Sequence, residues 1–216
     1  MGGVPDPSAE PRPGLRERKK QNTRRLLVDA AVELCLRQGY ENTTVEQIAA
    51  AAEISTRTFS RYFATKDAVF LAVLDDLVGE IVAELEARPD EEGPMEALRA
   101  AHVAVLTRVS DGPLAGLNAN RIALILRIVN SSEHLRQAAI DYRSPAALEA
   151  LARKMGVSPD DQELDLGIAL FSTTIVRACQ DLAGTGDDVA PHVVLDRLEG
   201  ALSRVARFAA ELDVDR

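Results

Sequence analysis

The stretch that most constrains this chain runs from Thr43 to Lys66, TTVEQIAAAAEISTRTFSRYFATK. Thr43 stands three residues before Glu46, and Thr44 three before Gln47. Either pair suits a capping box that starts a helix near Val45. Ile48 and Ala49 then turn inward, and Glu53-Ile54-Ser55 interrupts the helix. Ser55 is placed to cap a second short helix through Thr56, Arg57, Thr58, Phe59, Arg61, Tyr62 and Phe63. Two short helices joined by a turn of about three to four residues make a helix-turn-helix, whose second helix fits a DNA major groove. The pattern points to a segment that reads DNA.

The same stretch resembles the N-terminal domain of TetR-family transcriptional regulators. The resemblance rests on a TxxxIA second helix, a short recognition helix, and an aromatic-Phe-x-x-Lys run opening a long fourth helix, and it covers roughly Leu15 to Leu74. It implies an all-α fold: a three-helix helix-turn-helix DNA-binding domain (residues 15–64), then a helical ligand-binding and dimerisation domain (residues 65–216), about nine helices in all. Two positions depart from the family pattern. Glu53 stands where a turn glycine is usual, so a non-glycine residue has to enter the left-handed region. Ser60 stands where most members carry a tyrosine that meets backbone phosphate.

On the second short helix, Phe59, Tyr62 and Phe63 point largely inward, which leaves Thr56, Arg57 and Arg61 to face the groove, with Ser55 and Ser60 beside them. Thr43, Thr44, Tyr62 and Lys66 sit at helix starts or beside the recognition helix, and they match family positions that hold phosphates.

Charge supports a local DNA footprint. The chain carries −9 overall, yet residues 12–66 hold a net +5 and residues 67–216 a net −12. A basic end on an acidic body is attracted to DNA by that end only. Cys35 and Cys179 lie far apart in apolar helical patterns, which predicts two reduced core thiols. No apolar run approaches the roughly 18 residues of a membrane span, and no signal peptide precedes the fold, so a cytoplasmic protein without membrane contact is expected.

In chain order, residues 1–14 hold four prolines and three glycines and read as a disordered tail. The basic run Arg16-Glu17-Arg18-Lys19-Lys20, then Arg24-Arg25, opens a helix that ends at Gly39 and that in the family lies near the phosphate backbone. Thr65 caps a long fourth helix, predicted from Lys66 to about Arg88, with Leu77, Ile81 and Leu85 in its inward stripe. A fifth helix is expected over about Met95–Val109 and a sixth over Leu114–Asn130. A seventh over Ser132–Lys154 should bend at Ser144-Pro145 and end at Gly156. The last two, about Pro159–Ala183 and Val189–Leu212, are apolar over a wide arc. In TetR-like proteins such a pair forms a four-helix dimer bundle, so a homodimer is expected through Phe171, Ile175, Leu198, Leu202 and Val205.

No catalytic, cofactor or metal constellation emerges. His102, His134 and His192 are scattered over different helices, and Asp160-Asp161 and Asp187-Asp188 stand at helix starts, where acids favour the positive dipole end. Polar groups inside apolar helices stand out instead: His102, Arg108, Asn118, Asn120, Arg121, Arg127, Asn130, Tyr142, Arg143, Arg177 and Gln180. The segment Arg121–Arg127, with Leu135-Arg136 after it, is similar to an element of actinobacterial TetR-like proteins with RTFxRYF recognition helices. That similarity suggests an apolar pocket with a basic rim. The inner ends of Leu77, Ile81 and Leu85 on the fourth helix are expected to line it, with Arg121, Arg127 and Arg177 at the rim. An aromatic content of only 4% favours an aliphatic lining and so a lipophilic or acyl effector. Two functions stay open: an operator-binding, ligand-responsive regulator, or a helical ligand-binding or protein-interaction module with weakened DNA reading, which the Glu53 and Ser60 departures allow.

Overall fold

The computed structural model describes residues 15–115, 117–182 and 190–212; the tail expected over 1–14, the Asp187-Asp188 pair, and the expected ends of the last two helices at Ala183 and Val189 lie outside them. Among the described residues the architecture is all-α, with eleven α-helices, one 3-10 turn and a single isolated backbone bridge between Leu114 and Leu117.

The head is built from α1 (Leu15–Gln38), α2 (Val45–Ala51) and α3 (Thr56–Tyr62). Helix α1 buries Leu27, Val28, Ala31, Leu34 and Cys35 and stops at Gly39, which takes φ +83° and donates its N–H to Cys35 O over 2.8 Å. Of the two possible capping boxes, the one at Thr44 forms: the Thr44 hydroxyl accepts from Gln47 N while Gln47 Oε1 accepts from Thr44 N. Ser55 caps α3 by accepting from Thr58 N at 3.1 Å. Ile48, Phe59 and Phe63 close the small core beneath, with the two phenyl rings 5.8 Å apart.

Glu53 adopts φ +56°, so the turn between α2 and α3 keeps its left-handed geometry without a glycine. A non-glycine residue there costs about 1 kcal/mol, partly offset by the greater freedom glycine has in the unfolded chain. Because Glu53 is exposed, Glu53→Gly is expected to raise stability by up to about 0.6 kcal/mol, read as a slightly higher denaturant midpoint at unchanged slope. A lower midpoint would show that the carboxylate makes a contribution the turn geometry does not reveal.

The long fourth helix expected from Lys66 to Arg88 is instead three pieces, α4 (Lys66–Leu71), a 3-10 turn (Ala72–Leu74) and α5 (Asp75–Glu86). The backbone stays right-handed throughout, and Asp75-Asp76 supply the acidic first turn that favours a fresh helix start. Helix α6 (Pro94–Asp111) begins with Pro94 in its first turn. Helix α7 (Ala119–Val129) starts later than the expected Leu114, because Leu114 and Leu117 exchange backbone hydrogen bonds of 2.9 and 2.7 Å in a tight loop and Asn118 supplies the cap. The bent helix expected over 132–154 is two helices, α8 (Glu133–Ile140) and α9 (Pro145–Met155). Pro145 lacks an N–H and disfavours helical geometry at Ser144, so a full break replaces the bend. Gly156 ends α9 at φ +68°.

Helices α10 (Gln162–Ala178) and α11 (Pro191–Glu211) complete the chain, with Asp161 capping α10 through bonds to Glu163 N and Leu164 N. Helix α5 packs against α6 and α9, and α11 packs against α6 and α10. The head meets this body where α1 touches α4 and α7. Both cysteines are buried and free, and burial pushes the Cys179 thiol up to about 11.

Candidate functional site

Two regions carry the chemistry, an exposed face on the head and a cavity in the body. On α3, Thr56, Arg57, Ser60 and Arg61 are exposed, and so is the capping Ser55. Phe59 and Phe63 are buried and fix the rotation of the helix. The Arg57 guanidinium makes no hydrogen bond or ion pair among the described residues, which leaves its five donors available. Arg61 lies over the Tyr62 ring, 5.2 Å from its centroid. A hydrogen bond with Thr23, followed by the charges of Arg61 and Lys20, holds the Tyr62 phenol below its usual value. Arg16, Arg18, Lys19 and Lys20 are exposed at the start of α1, so the basic run is solvated.

The residues expected at phosphates separate. Thr44 is exposed at the start of α2, but Thr43 is completely buried and donates its hydroxyl to Gly39 O over 2.9 Å. Thr43 is therefore a structural residue of the α1–α2 corner, and its assignment to DNA is corrected. Lys66 is half-buried; its ammonium lies 3.8 Å from the centre of the Tyr40 ring and donates to Tyr40 O at 3.0 Å, leaving further N–H donors for another partner. Tyr40 in turn donates to Asp67, whose other oxygen lies 2.9 Å from His134 Nε2 on α8.

The cavity measures about 220 Å³ and is walled by α5 to α11. Leu77, Ile81, Leu98, Ile122, Leu126, Ile168, Phe171, Ile175 and Leu198 make it apolar. Its polar side comes from His102, Asn130, Tyr142, Arg143, Ser144 and Ser172. His102 donates through Nδ1 to Leu98 O and packs 4.8 Å from the Phe171 ring. Burial pushes its imidazole down to about 4, so it is neutral at pH 7 and its other nitrogen is an acceptor. The Arg143 guanidinium is engaged by Asp165 at 3.0 Å and by the carbonyls of Ile140 and Tyr142. Asn130 Oδ1 is buried at this wall with no hydrogen-bond partner among the described residues.

This wall corrects much of the expected pocket. Leu77 and Ile81 line it, whereas Leu85 is packed into the core outside it. None of the three rim arginines lies on the wall. Helix α7 turns Ile122, Ile125, Leu126 and Val129 inward, which sends Arg121 to an ion pair with Asp76 at 3.3 Å and keeps Arg127 off the wall. Arg177 is exposed and bonds Gln180. The dimer assignment divides in the same way. Phe171, Ile175 and Leu198 face the cavity, and Phe171 and Leu198 are buried within the protomer, so they are core rather than interface residues. Leu202 and Val205 instead line a shallow surface groove with Met95 and Leu170. On this helix pair the large apolar side chains left uncovered are Leu166 and Leu170 on α10, Phe208 near the end of α11 and Leu212 just after it.

Comparison with known proteins identifies the family of the chain. The sequence profile for bacterial regulatory proteins of the tetR family matches residues 27–73. The HTH-type transcriptional regulator TcmR of Streptomyces glaucescens is 41% identical over 154 residues, spanning 69% of this chain and 67% of TcmR. The chain belongs to the TetR family.

TetR-family proteins bind DNA operators as dimers and respond to small-molecule effectors, and this member is a helix-turn-helix transcriptional regulator. Similar solved structures include the Thermus thermophilus FadR repressor in complex with lauroyl-CoA, at 21% identity and a TM-score of 0.46 over 83% of this chain and 91% of that one. Another is SmeT, the repressor of a Stenotrophomonas maltophilia multidrug efflux pump, at 21% identity and a TM-score of 0.46 over 84% and 89%. No helix among the described residues of this TetR-family chain is long and apolar enough to cross a membrane. His102, Asn130, Tyr142 and Arg143 stand out in the sequence as polar groups in apolar helices, but which of them meet is a tertiary property.

Proposed function

We propose that the chain is a cytoplasmic, dimeric repressor whose head (residues 15–64) reads a near-palindromic operator and whose body (residues 65–216) holds a lipophilic effector that releases it. In this reading Arg57, Thr56 and Arg61 meet base edges, with Ser55 and Ser60 beside them. Thr44, Tyr62 and Lys66 hold phosphates. The RTFSRYF run of α3 fits the actinobacterial group of such regulators, and the chain acts by binding rather than catalysis.

The observation that carries the reading is the pairing of a solvated basic recognition face with an apolar cavity in one chain. The cavity's basic residue, Arg143, already has Asp165 as partner, and the other arginines lie off the wall. The effector is therefore a mainly apolar molecule with few hydrogen-bonding groups, held by contact with aliphatic side chains. An acyl compound with an anionic head has to compete with Asp165 for Arg143.

The experiment titrates medium- and long-chain acyl compounds into the preformed protein–DNA complex. DNA affinity is expected to fall about 5–150-fold, the range of ordinary site-to-site coupling. Release by polar or flat aromatic compounds, with acyl compounds inert, would overturn the effector class while leaving DNA binding intact.

A further inference from the structure

Between the cavity and the recognition helix runs a chain of contacts that neither site explains alone. Tyr142, on the cavity wall, donates its hydroxyl to Asp75 Oδ1 over 2.8 Å. Asp75 begins α5 directly after the 3-10 turn, and its other oxygen lies 2.6 Å from an Arg24 Nη2 on α1. The Arg24 guanidinium stacks over the Phe63 ring with its carbon 4.9 Å from the centroid. Phe63 ends α3, its N–H donating to Phe59 O, and packs on Phe59 beneath the DNA-reading face. Four side chains thus link the cavity wall, the α4–α5 junction, α1 and the end of α3.

We infer that Tyr142, Asp75 and Arg24 are positioning residues that set the seat of the recognition helix from the cavity wall. This rests on the reading of α3 as the DNA-reading helix and of the cavity as the effector site. A carboxylate held from opposite sides by a phenol and a guanidinium fixes both partners, because charge-assisted bonds are short and directional. The Tyr142 phenol is pushed above its usual value by burial and by Asp75, so it stays a donor across the working pH range. Removing the Tyr142 bond leaves Asp75 free to turn; Arg24 then loses the anchor that keeps its plane on Phe63. Ion pairs of this exposure contribute little to global stability, so the effect is local to the helix they seat.

The test is a cycle of Tyr142→Phe, Asp75→Asn and the double variant in the full chain, read by amide hydrogen exchange without any ligand or DNA. Exchange across residues 56–63 should rise about fivefold in each single variant, the low end of usual coupling between sites, with no further rise in the double. Exchange in α6 and α11 should not change, which a general loss of stability would not produce. Affinity for DNA enriched by the wild type should fall in each single variant and no further in the double. Unchanged exchange in Tyr142→Phe, or effects that multiply in the double variant, would overturn the proposal. A wild type that enriches no DNA, with the exchange result intact, would overturn the operator reading and leave the positioning role standing.

Discussion

Replacing Leu170 by glutamate is expected to leave a folded monomer whose operator affinity is about 100-fold weaker or worse. Leu166 and Leu170 are 68% and 53% exposed on α10, and Phe208 near the end of α11 and Leu212 just after it are 55% and 72% exposed. So many large apolar side chains on one helix pair are costly to leave in water, since burying each contributes roughly 1.5–3 kcal/mol. In the dimer proposed here, a second copy of the same face would cover them across a two-fold axis. A carboxylate at position 170 would be desolvated without a partner in that contact, yet it costs the isolated protomer little because the site is already wet. The DNA effect follows from linkage of two heads: losing one removes an avidity factor of about 10²–10⁴. Sedimentation velocity reads the oligomer, and titration of a full operator against a half-site reads the affinity. A variant that stays dimeric with full affinity would place the interface elsewhere.

The second large effect is at Arg57. Arg57→Ala should weaken binding to the specific duplex by about 10–100-fold, since a guanidinium on a guanine edge contributes about 1–3 kcal/mol of discrimination. Arg57 is exposed and without a partner among the described residues, so its truncation leaves no buried group unpaired and folding should not change. The loss should be confined to sequences carrying the matching base and should relax preference at one position per half-site. Lys66→Ala supplies the contrast: it should weaken specific and random duplexes alike and reduce the salt slope by about one. Equal losses on both duplexes for Arg57→Ala would make it a phosphate contact.

How far the residues announce these features depends on whether the deciding interaction is local. Ser55 and Thr65 cap their helices as their positions imply, because a cap acts over three residues and needs no tertiary partner. The left-handed Glu53 follows from the same turn logic. Thr43 and Thr44 are equal on local grounds, and only packing against the α1 corner buries one and frees the other. Leu198 and Leu170 are likewise indistinguishable in an apolar stripe. A helix pair greasy over a wide arc does not say which arc meets its own core, and the cavity claims Leu198 while Leu170 stays outside. The rim arginines fail for the same reason. Helix α7 is set in rotation by Ile122, Ile125 and Leu126, and that turns Arg121 toward Asp76. The division into α8 and α9 is marked by Pro145, whereas the contact of Arg143 with the Ile140 carbonyl at the break is a detail the residues do not announce.

Reading of one DNA site by two copies of this chain through α3 is tested most directly by selection of duplexes from a random pool by the 216-residue protein, followed by measurement of the stoichiometry on the enriched sequence. A near-palindrome with half-site centres about 34–36 Å apart, or a multiple of one turn, is expected, bound by an even number of protomers. Affinity for it should fall steeply with salt. A pool that remains random after repeated rounds, or an enriched site filled by one protomer at full affinity, would contradict the two-copy reading of DNA.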